Sequence, residues 1–233
     1  MRKRMFGFVA AMAMLSLLSG ISTAAPSFLS TTGNILTPDD LLLSAGSFSA
    51  NFHSVEVGDS STILGANVGV TPNLELGIAR FSPDVGDSET IINGKYMILA
   101  ETSSRPSLVV GVVDATGDLD PDDDPGFYIV LGKTLTSMAS GIAGEPVGPM
   151  RGFLGVGSGI YNGLFLGVDW AISARTSIMA EFINELAIKR TIGEDSAFNV
   201  GLRFAITEGI RGDVALIDGD DLGFGISYTK LGL

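Results

Sequence analysis

The chain has 233 residues, carries a formal net charge of −12 and contains no cysteine. The acidic balance argues against a nucleic-acid-binding role, because such proteins present basic faces to phosphates. The lack of cysteine excludes disulfides, thiolate metal sites and a lipoprotein anchor. The residues are 45% hydrophobic and only 17% charged, with 31 glycines and a mean hydropathy of +0.39. A secreted soluble domain usually carries more charge than this.

The first 24 residues have the order of a secretory signal peptide. Three basic residues at positions 2–4 precede an apolar run from Met5 to Leu18, which small residues follow. Ser22 and Ala24 suit the −3 and −1 positions, so we expect cleavage after Ala24. The alternative is a membrane anchor, for which the apolar run is short.

A repeated hairpin organises the rest of the chain. Residues 201–218 form two runs that alternate between apolar and other residues around a turn at Thr207. Alternation with a period of two predicts strands that meet two different environments. Similar hairpins begin at Gly65 and Gly167, and a looser copy begins at Asn93. One hairpin repeated along a chain is typical of an up-and-down β-barrel.

An exported, apolar chain with no later run long enough for a spanning helix fits one location, the cell outer membrane. There a closed barrel pairs every backbone polar group. We predict an all-β, up-and-down antiparallel transmembrane β-barrel of about twelve strands over residues 41–233. Before it stand the signal peptide, 1–24, and a turn-rich periplasmic lead-in, 25–40, which could tuck into the barrel opening. The expected strands are 41–53, 61–70, 73–82, 89–99, 106–116, 126–136, 150–157, 163–172, 175–185, 196–206, 209–218 and 222–229.

The connections between these strands sort into mostly short periplasmic turns and longer, acidic outer loops, as in outer-membrane barrels. The connection 137–149 is long for a periplasmic turn, and a further hairpin could lie there. The acidic outer loop from Asp118 to Asp124 invites a calcium hypothesis. It lacks the spacing of an EF-hand, so a solvated loop is the favoured interpretation.

If the apolar face of each strand meets lipid, the other face lines the lumen. The candidate lumen-lining residues are Glu75, Lys95, Asp169, Glu181, Arg203, Arg211 and Asp213. Their charges are mixed in sign and could pair across neighbouring strands. Two interpretations remain open: a narrow lumen filled by paired charges, and a small polar pore. Balanced charges select no ion, which favours the filled lumen.

Four aromatic residues are expected near the periplasmic ends of their strands and on the outward face. They are Tyr96, Trp170, Phe204 and Tyr228. Amphipathic rings at one level form the interfacial girdle of membrane barrels. The alternative is a set of ordinary core aromatics in a soluble secreted β-sandwich that binds a ligand or surface.

No catalytic constellation is recognisable. His53 is the only histidine, so one chain cannot assemble a two-histidine metal site, and a polar strand residue is a better interpretation than a catalytic base. The acidic residues form no recognisable acid–base pair. We therefore predict that the protein is not an enzyme, has no metal site and needs no cofactor.

Several phrases resemble YjbH-like outer-membrane β-barrel proteins. The opening TTGNILTPDD followed by LLLSAGSFSANFH resembles the start of that family, and VTPNLELGIAR, KYMILAETSSRPSLVVGVVD and GVGSGIYNGLFLGVDWAIS resemble its hairpins. The family is linked with exopolysaccharide production or export, so the resemblance implies a structural or accessory barrel that assists exopolysaccharide secretion. Family members with a lipoprotein anchor carry a cysteine that this chain lacks.

The first functional expectation is thus a structural or accessory barrel, and the second is a passive pore for small solutes. The expected partners are outer-membrane lipid, the barrel-assembly machinery and polysaccharide-export components, without nucleic acid. The barrel is expected to be a monomer.

Overall fold

A computed structural model describes residues 24–57, 59–137, 139–140, 146–187 and 196–232. The predicted signal peptide lies outside the described residues, apart from Ala24. The strands are β1 (Phe48–Val57), β2 (Asp59–Thr71), β3 (Leu74–Pro83), β4 (Glu89–Leu99), β5 (Ser107–Val113), β6 (Gly126–Thr134), β7 (Ala139–Ser140), β8 (Pro146–Val147), β9 (Met150–Gly157), β10 (Gly163–Ala171), β11 (Thr176–Ile183), β12 (Ala197–Thr207), β13 (Ile210–Ile217) and β14 (Asp221–Lys230).

All strands except β7 and β8 pair in sequence order and close into one antiparallel barrel through β1 and β14. The predicted up-and-down barrel of twelve strands is therefore confirmed, and the β-sandwich is excluded. We call the end at which β1 begins and β14 ends the base, and the opposite end the mouth. Among the described residues, no helix is long and apolar enough to cross a membrane.

The alternation seen in the sequence separates an outer face from the lumen. Along β12, Phe198, Val200, Leu202 and Phe204 are exposed, whereas the residues between them face inward and are buried. Two or more exposed Leu, Ile, Val or Phe residues lie on every barrel strand except β5, which has none, and β11 and β13, which have one each. A continuous apolar outer surface of this kind is unfavourable in water and matches a lipid environment.

Two regions differ from the expected strands. The predicted first strand, 41–53, begins only at Phe48, because Leu41, Leu42 and Leu43 turn into the base of the lumen instead of pairing with β2. The connection 135–149, at the base, carries the short β7–β8 pair, which lies outside the barrel sheet.

Candidate functional site: a lumen plugged by residues 24–43

The segment before the barrel fills its lumen, and we call residues 24–43 the plug. Every residue from Ala25 to Pro38 is buried. The plug has no helix or long strand and is folded by turns and by two isolated bridges, Pro26 with Thr32 and Gly33 with Pro38. Irregular backbone at membrane depth needs hydrogen-bond partners. Side chains of the barrel wall supply many of them.

Glu181 of β11 binds one turn of the plug. Its carboxylate accepts hydrogen bonds from the backbone N–H groups of Ile35, Leu36 and Thr37 at 3.1, 2.7 and 3.2 Å. It also accepts the Thr37 hydroxyl at 2.7 Å and the amide of Asn199 at 2.8 Å. Five donors on one carboxylate satisfy the charge of a group that is buried from water.

Glu75 of β3 and Lys95 of β4 lie directly opposite each other on neighbouring strands. Both bind the plug at Thr32 and again within residues 39–43. Glu75 accepts hydrogen bonds from the backbone N–H groups of Leu43 at 2.8 Å and Thr32 at 3.2 Å. Lys95 donates from Nζ to the carbonyl oxygens of Thr32 and Asp39, at 2.5 and 3.0 Å. The anion thus binds plug amides and the cation binds plug carbonyls.

Arg203 of β12 continues this pattern on the opposite wall. Its two terminal nitrogens donate to the carbonyl oxygens of Gly33 at 3.1 Å, Pro26 at 3.1 Å and Asn34 at 3.0 Å. Its Nε donates to Asp213 of β13 at 2.7 Å, so the buried guanidinium also has a counter-ion. Planar donors in a fixed fork suit several carbonyl oxygens at once.

A second ion-pair cluster fixes the plug at the base. Asp40 accepts hydrogen bonds from Arg151 of β9 and from the Ser107 hydroxyl of β5. Arg151 also binds Glu101, in the connection between β4 and β5, at 2.8 Å. Burial opposes ionisation of Glu101, but hydrogen bonds from Thr134 and Arg151 hold its pKa at about 2. Burial and the neighbouring Asp39 raise the pKa of Asp40, against the effect of Arg151.

The mouth side of the lumen is filled in a different way. Plug residues Phe28, Leu29, Ile35 and Leu36 pack there into a buried apolar cluster. The wall and the mouth loops contribute Val55, Ile63, Ile91, Val113, Ile160, Tyr161, Ile183, Leu186 and Ile217, among others. Polar contacts to the plug backbone accompany this cluster. The Tyr161 hydroxyl donates to the Leu36 carbonyl oxygen at 2.7 Å, and the Asn93 amide donates to the Leu29 carbonyl oxygen at 3.2 Å.

The plug makes fewer hydrogen bonds to β1, β13 and β14 than to β4, β11 and β12. The ring of Phe28 lies 4.7 Å from the His53 ring, and neither nitrogen of His53 has a hydrogen-bond partner among the described residues. His53 Nε2 is 3.9 Å from Asp213 Oδ2. The hydroxyls of Ser27 and Ser227 are also buried, with no hydrogen-bond partner in the part of the chain that the structure describes. The plug is therefore anchored chiefly through β3, β4, β9, β11 and β12.

All seven candidate lumen residues lie on the inward face of their strands. Glu75, Lys95, Glu181 and Arg203 bind the plug, Asp213 pairs with Arg203, and Asp169 and Arg211 are half-buried nearby. Sequence reasoning missed Asp40 and Arg151; it allowed the lead-in to tuck into the barrel opening but did not predict that residues 24–43 fill the lumen. The turn-forming residues of TTGNILTPDD were a signal of irregular structure, but they carry no information about where that structure packs.

The four aromatic residues lie on the outer face near the base. Tyr96, Trp170, Phe204 and Tyr228 are all exposed there, on four different strands. Outward aromatic residues near one end of the strands are typical of an interfacial girdle.

Comparison with known proteins shows similarity at the level of fold. No protein-family model and no curated protein sequence matches the chain. A solved structure described as KdgM porin is similar at a TM-score of 0.55 and 12% identity, covering 77% of this chain and 98% of that chain. KdgM porin in complex with disordered oligogalacturonate is similar at a TM-score of 0.50 and 11% identity, covering 78% and 97%. The Acinetobacter baumannii outer membrane protein Omp33 has a TM-score of 0.47 at 11% identity, covering 80% and 98%.

The closed antiparallel barrel, its apolar outer surface and the fold it shares with KdgM porin define the class of this protein. It is an outer-membrane β-barrel with a fold similar to that of KdgM porin, embedded in lipid. Its lumen is occupied by residues 24–43 of the same chain.

Proposed function

We propose that the protein is a passive pore for small solutes and that the plugged structure is its closed state. The observation that carries the proposal is the way in which the plug is held. On the base side, wall side chains bind its backbone through polar contacts that water can replace. Such an exchange costs little per bond, about 0.5–1.5 kcal/mol. A wall of this composition would also remain hydrated once the plug had left.

The covalent attachment of the plug supports a movement of this kind. If the signal peptide is cleaved after Ala24, the plug is joined to the barrel only through residues 44–47. Residues 44–46 of this link are exposed. The plug could then leave the lumen without breaking any pairing between barrel strands.

The wall charges support a pore without strong selectivity. Glu75, Glu181 and Asp213 are balanced in part by Lys95 and Arg203, so neither sign of charge dominates the path. The likeness in fold to a protein described as a porin is consistent with this proposal.

A disulfide between plug and wall tests the proposal, since the chain has no native cysteine. A Cβ added at Gly65 of β2 would lie 2.7 Å from the Cβ of Ser30. A small shift of the plug would bring a Ser30→Cys, Gly65→Cys pair to about 3.5–4.5 Å, as a disulfide requires. In planar bilayers we expect the oxidised pair to show no channels and the reduced pair to show wild-type openings.

The two single-cysteine variants serve as matched controls and should respond to neither oxidant nor reductant. Equal conductance of the oxidised and reduced pair would show that the plug does not close the pore. Complete absence of channels in the wild type and in the reduced pair would refute the pore itself.

A permanently filled structural or accessory barrel is the second candidate. The apolar cluster at the mouth favours it, because removal of Phe28, Leu29, Ile35 and Leu36 would expose wall residues that are equally apolar. Under this proposal the oxidised and reduced pair would both be silent. The role in exopolysaccharide secretion, the resemblance to YjbH-like proteins, the assembly partners, the monomeric state and the lack of enzymatic activity stay predictions.

A further inference from the structure

On the mouth side of the outer face, the described residues include one cation, Arg80 of β3. Its side chain is exposed and has the same parity as the exposed Leu76 and Ile78 of that strand, so it points away from the lumen. The other lysines and arginines that the structure describes lie in the lumen or at the base. Arg80 therefore presents a positive charge to the surroundings of the barrel.

Arg80 lies at the edge of the apolar outer surface. Its outward neighbours on the side of the base are Ile78 of its own strand and Ile92 of β4, and both are exposed. Toward the mouth, outward residues with hydroxyl groups follow on β2, β3 and β4: Thr62, Ser82 and Thr90. A change from isoleucine to polar residues along the strands is typical of the boundary between lipid hydrocarbon and headgroups.

The guanidinium of Arg80 has no carboxylate partner within the described ranges of the chain. Its hydrogen bond there runs from Nη1 to the Thr90 hydroxyl oxygen at 3.3 Å. Since the Thr90 oxygen accepts this bond, the hydroxyl can donate its own hydrogen to a further acceptor. An arginine on the lipid-facing surface is costly in the hydrocarbon and much less so near the headgroups, where anions can neutralise it. Arg80 and Thr90 thus present donors toward the headgroup region.

We propose that Arg80 and Thr90 form a binding site for the phosphate of a phosphorylated glycolipid in the outer leaflet. The planar donors of arginine match two phosphate oxygens at once. In the predicted orientation the base is periplasmic, so the mouth side lies in the outer leaflet. The outward hydroxyls of Thr62 and Ser82 suit the sugar of such a lipid, and its acyl chains lie along Ile78 and its exposed neighbours. The site goes beyond the proposed pore function and does not depend on it.

The charge of the mouth makes this one cation decisive. The loop that follows β3 contains Asp84 and Asp87, both exposed, and the outer loops elsewhere are acidic as well. Carboxylates near the membrane surface repel an anionic lipid. Removal of the positive charge of Arg80 should therefore leave a surface that disfavours a phosphate, rather than one that is neutral toward it.

The probe we choose is bisphosphorylated lipid A, titrated into the protein in detergent and followed by native mass spectrometry. We expect Arg80→Gln to weaken binding by about tenfold, because a charge-assisted contact is lost. Dephosphorylated lipid A should bind to the wild type as weakly. The matched control is Arg105→Gln, an exposed arginine in a turn at the base, which should bind lipid A as the wild type does.

A second measurement locates the bound lipid and leaves Arg80 in place. A nitroxide attached at Val85→Cys, in the exposed loop after β3, should broaden the ³¹P signals of bound lipid A. A nitroxide at Glu208→Cys, in an exposed turn at the base, should not. Thr90→Val keeps the charge of the site and removes one hydroxyl, so it should weaken binding by about threefold. Heat-modifiable mobility in gels confirms that each variant is a closed barrel.

Four results would overturn the proposal. Equal binding of lipid A by the wild type and a folded Arg80→Gln would remove Arg80 from the site, and so would ³¹P broadening from Glu208→Cys alone. Phosphatidylglycerol that binds as tightly as lipid A would show that the site does not select a glycolipid. Displacement of lipid A by an excess of inorganic phosphate would reassign the site to the free ion.

Discussion

The base side of the lumen and the mouth side are filled by the same segment, but they hold it by different forces. At the base, Glu75, Lys95 and Arg203 bind plug backbone atoms through directed hydrogen bonds. At the mouth, the side chains of Leu36 and its neighbours pack in an apolar cluster, and fewer polar contacts, such as those of Glu181 and Tyr161 with Leu36, accompany this packing. Directed bonds fix the position of the plug and can be exchanged for water, whereas apolar burial supplies most of the stabilisation and excludes water.

The two candidate functions make different demands on these two regions. A pore needs the base-side bonds to exchange and the mouth cluster to separate. A permanently filled barrel needs the mouth cluster to stay intact. Variants that weaken one region and leave the other unchanged can therefore decide between them.

The largest effect is expected for Arg203→Met on the base side. The change leaves Asp213 buried without its counter-ion and removes the donors to three plug carbonyls. Breaking a buried ion pair from one side costs about 3–5 kcal/mol. Urea unfolding in detergent measures the loss. Arg105→Met, in an exposed connection at the base, should leave the free energy of unfolding nearly unchanged, and adding Asp213→Asn to Arg203→Met should recover part of the loss.

On the mouth side, Leu36→Ala should reduce the free energy of unfolding by about 3 kcal/mol, because it leaves a cavity in a buried apolar cluster. Leu64→Ala on the lipid-facing surface is the control. If the plug gates a pore, Leu36→Ala should also raise the frequency of channel openings. A stability loss no larger than that of Leu64→Ala would show that the mouth cluster does not hold the plug.

Glu181→Gln tests whether a charge is needed to bind a plug turn. The amide keeps one acceptor oxygen but turns a donor toward the backbone N–H groups of Ile35, Leu36 and Thr37. The expected loss is about 2 kcal/mol. Faster hydrogen exchange at these three amides would locate the effect. Glu208→Gln, in an exposed turn, should change neither quantity.

A smaller effect is expected from pH at the base. The pKa of Glu101 is held at about 2, below the ordinary value of 4.5, by its bonds to Thr134 and Arg151. Its contribution to stability is therefore complete above pH 4.5 and is lost as the pH falls toward 2. The thermal midpoint of Glu101→Gln should vary less over that window than the wild-type midpoint. A parallel pH dependence in both proteins would contradict this.

The last test does not concern stability. It measures the depth of Trp170 in the bilayer. Trp170 is the only tryptophan, so intrinsic fluorescence reports on one position near the base. Lipids brominated near the headgroup should quench it more strongly than lipids brominated near the end of the acyl chain. The opposite order would remove Trp170 from the proposed girdle.

The sequence by itself determined the barrel and its outer face. Alternation such as that of Phe198 to Phe204 is a local property, because neighbouring side chains of a strand point to opposite sides. It also placed Glu75, Lys95, Glu181 and Arg203 on the inward face, since that assignment needs only the parity of each residue within its strand.

What those inward charges bind was decided only by the tertiary structure. They were expected to pair with one another, and Arg203 does pair with Asp213, but Glu181 binds Ile35, which is 146 residues away in the chain. No local pattern encodes a contact over such a separation. For the same reason the apolar residues Leu41 to Leu43 were predicted to begin a strand. In the structure they turn into the lumen, which exists only once the barrel has closed. The outer face depends on each strand alone, whereas the content of the lumen exists only after the strands have closed around it.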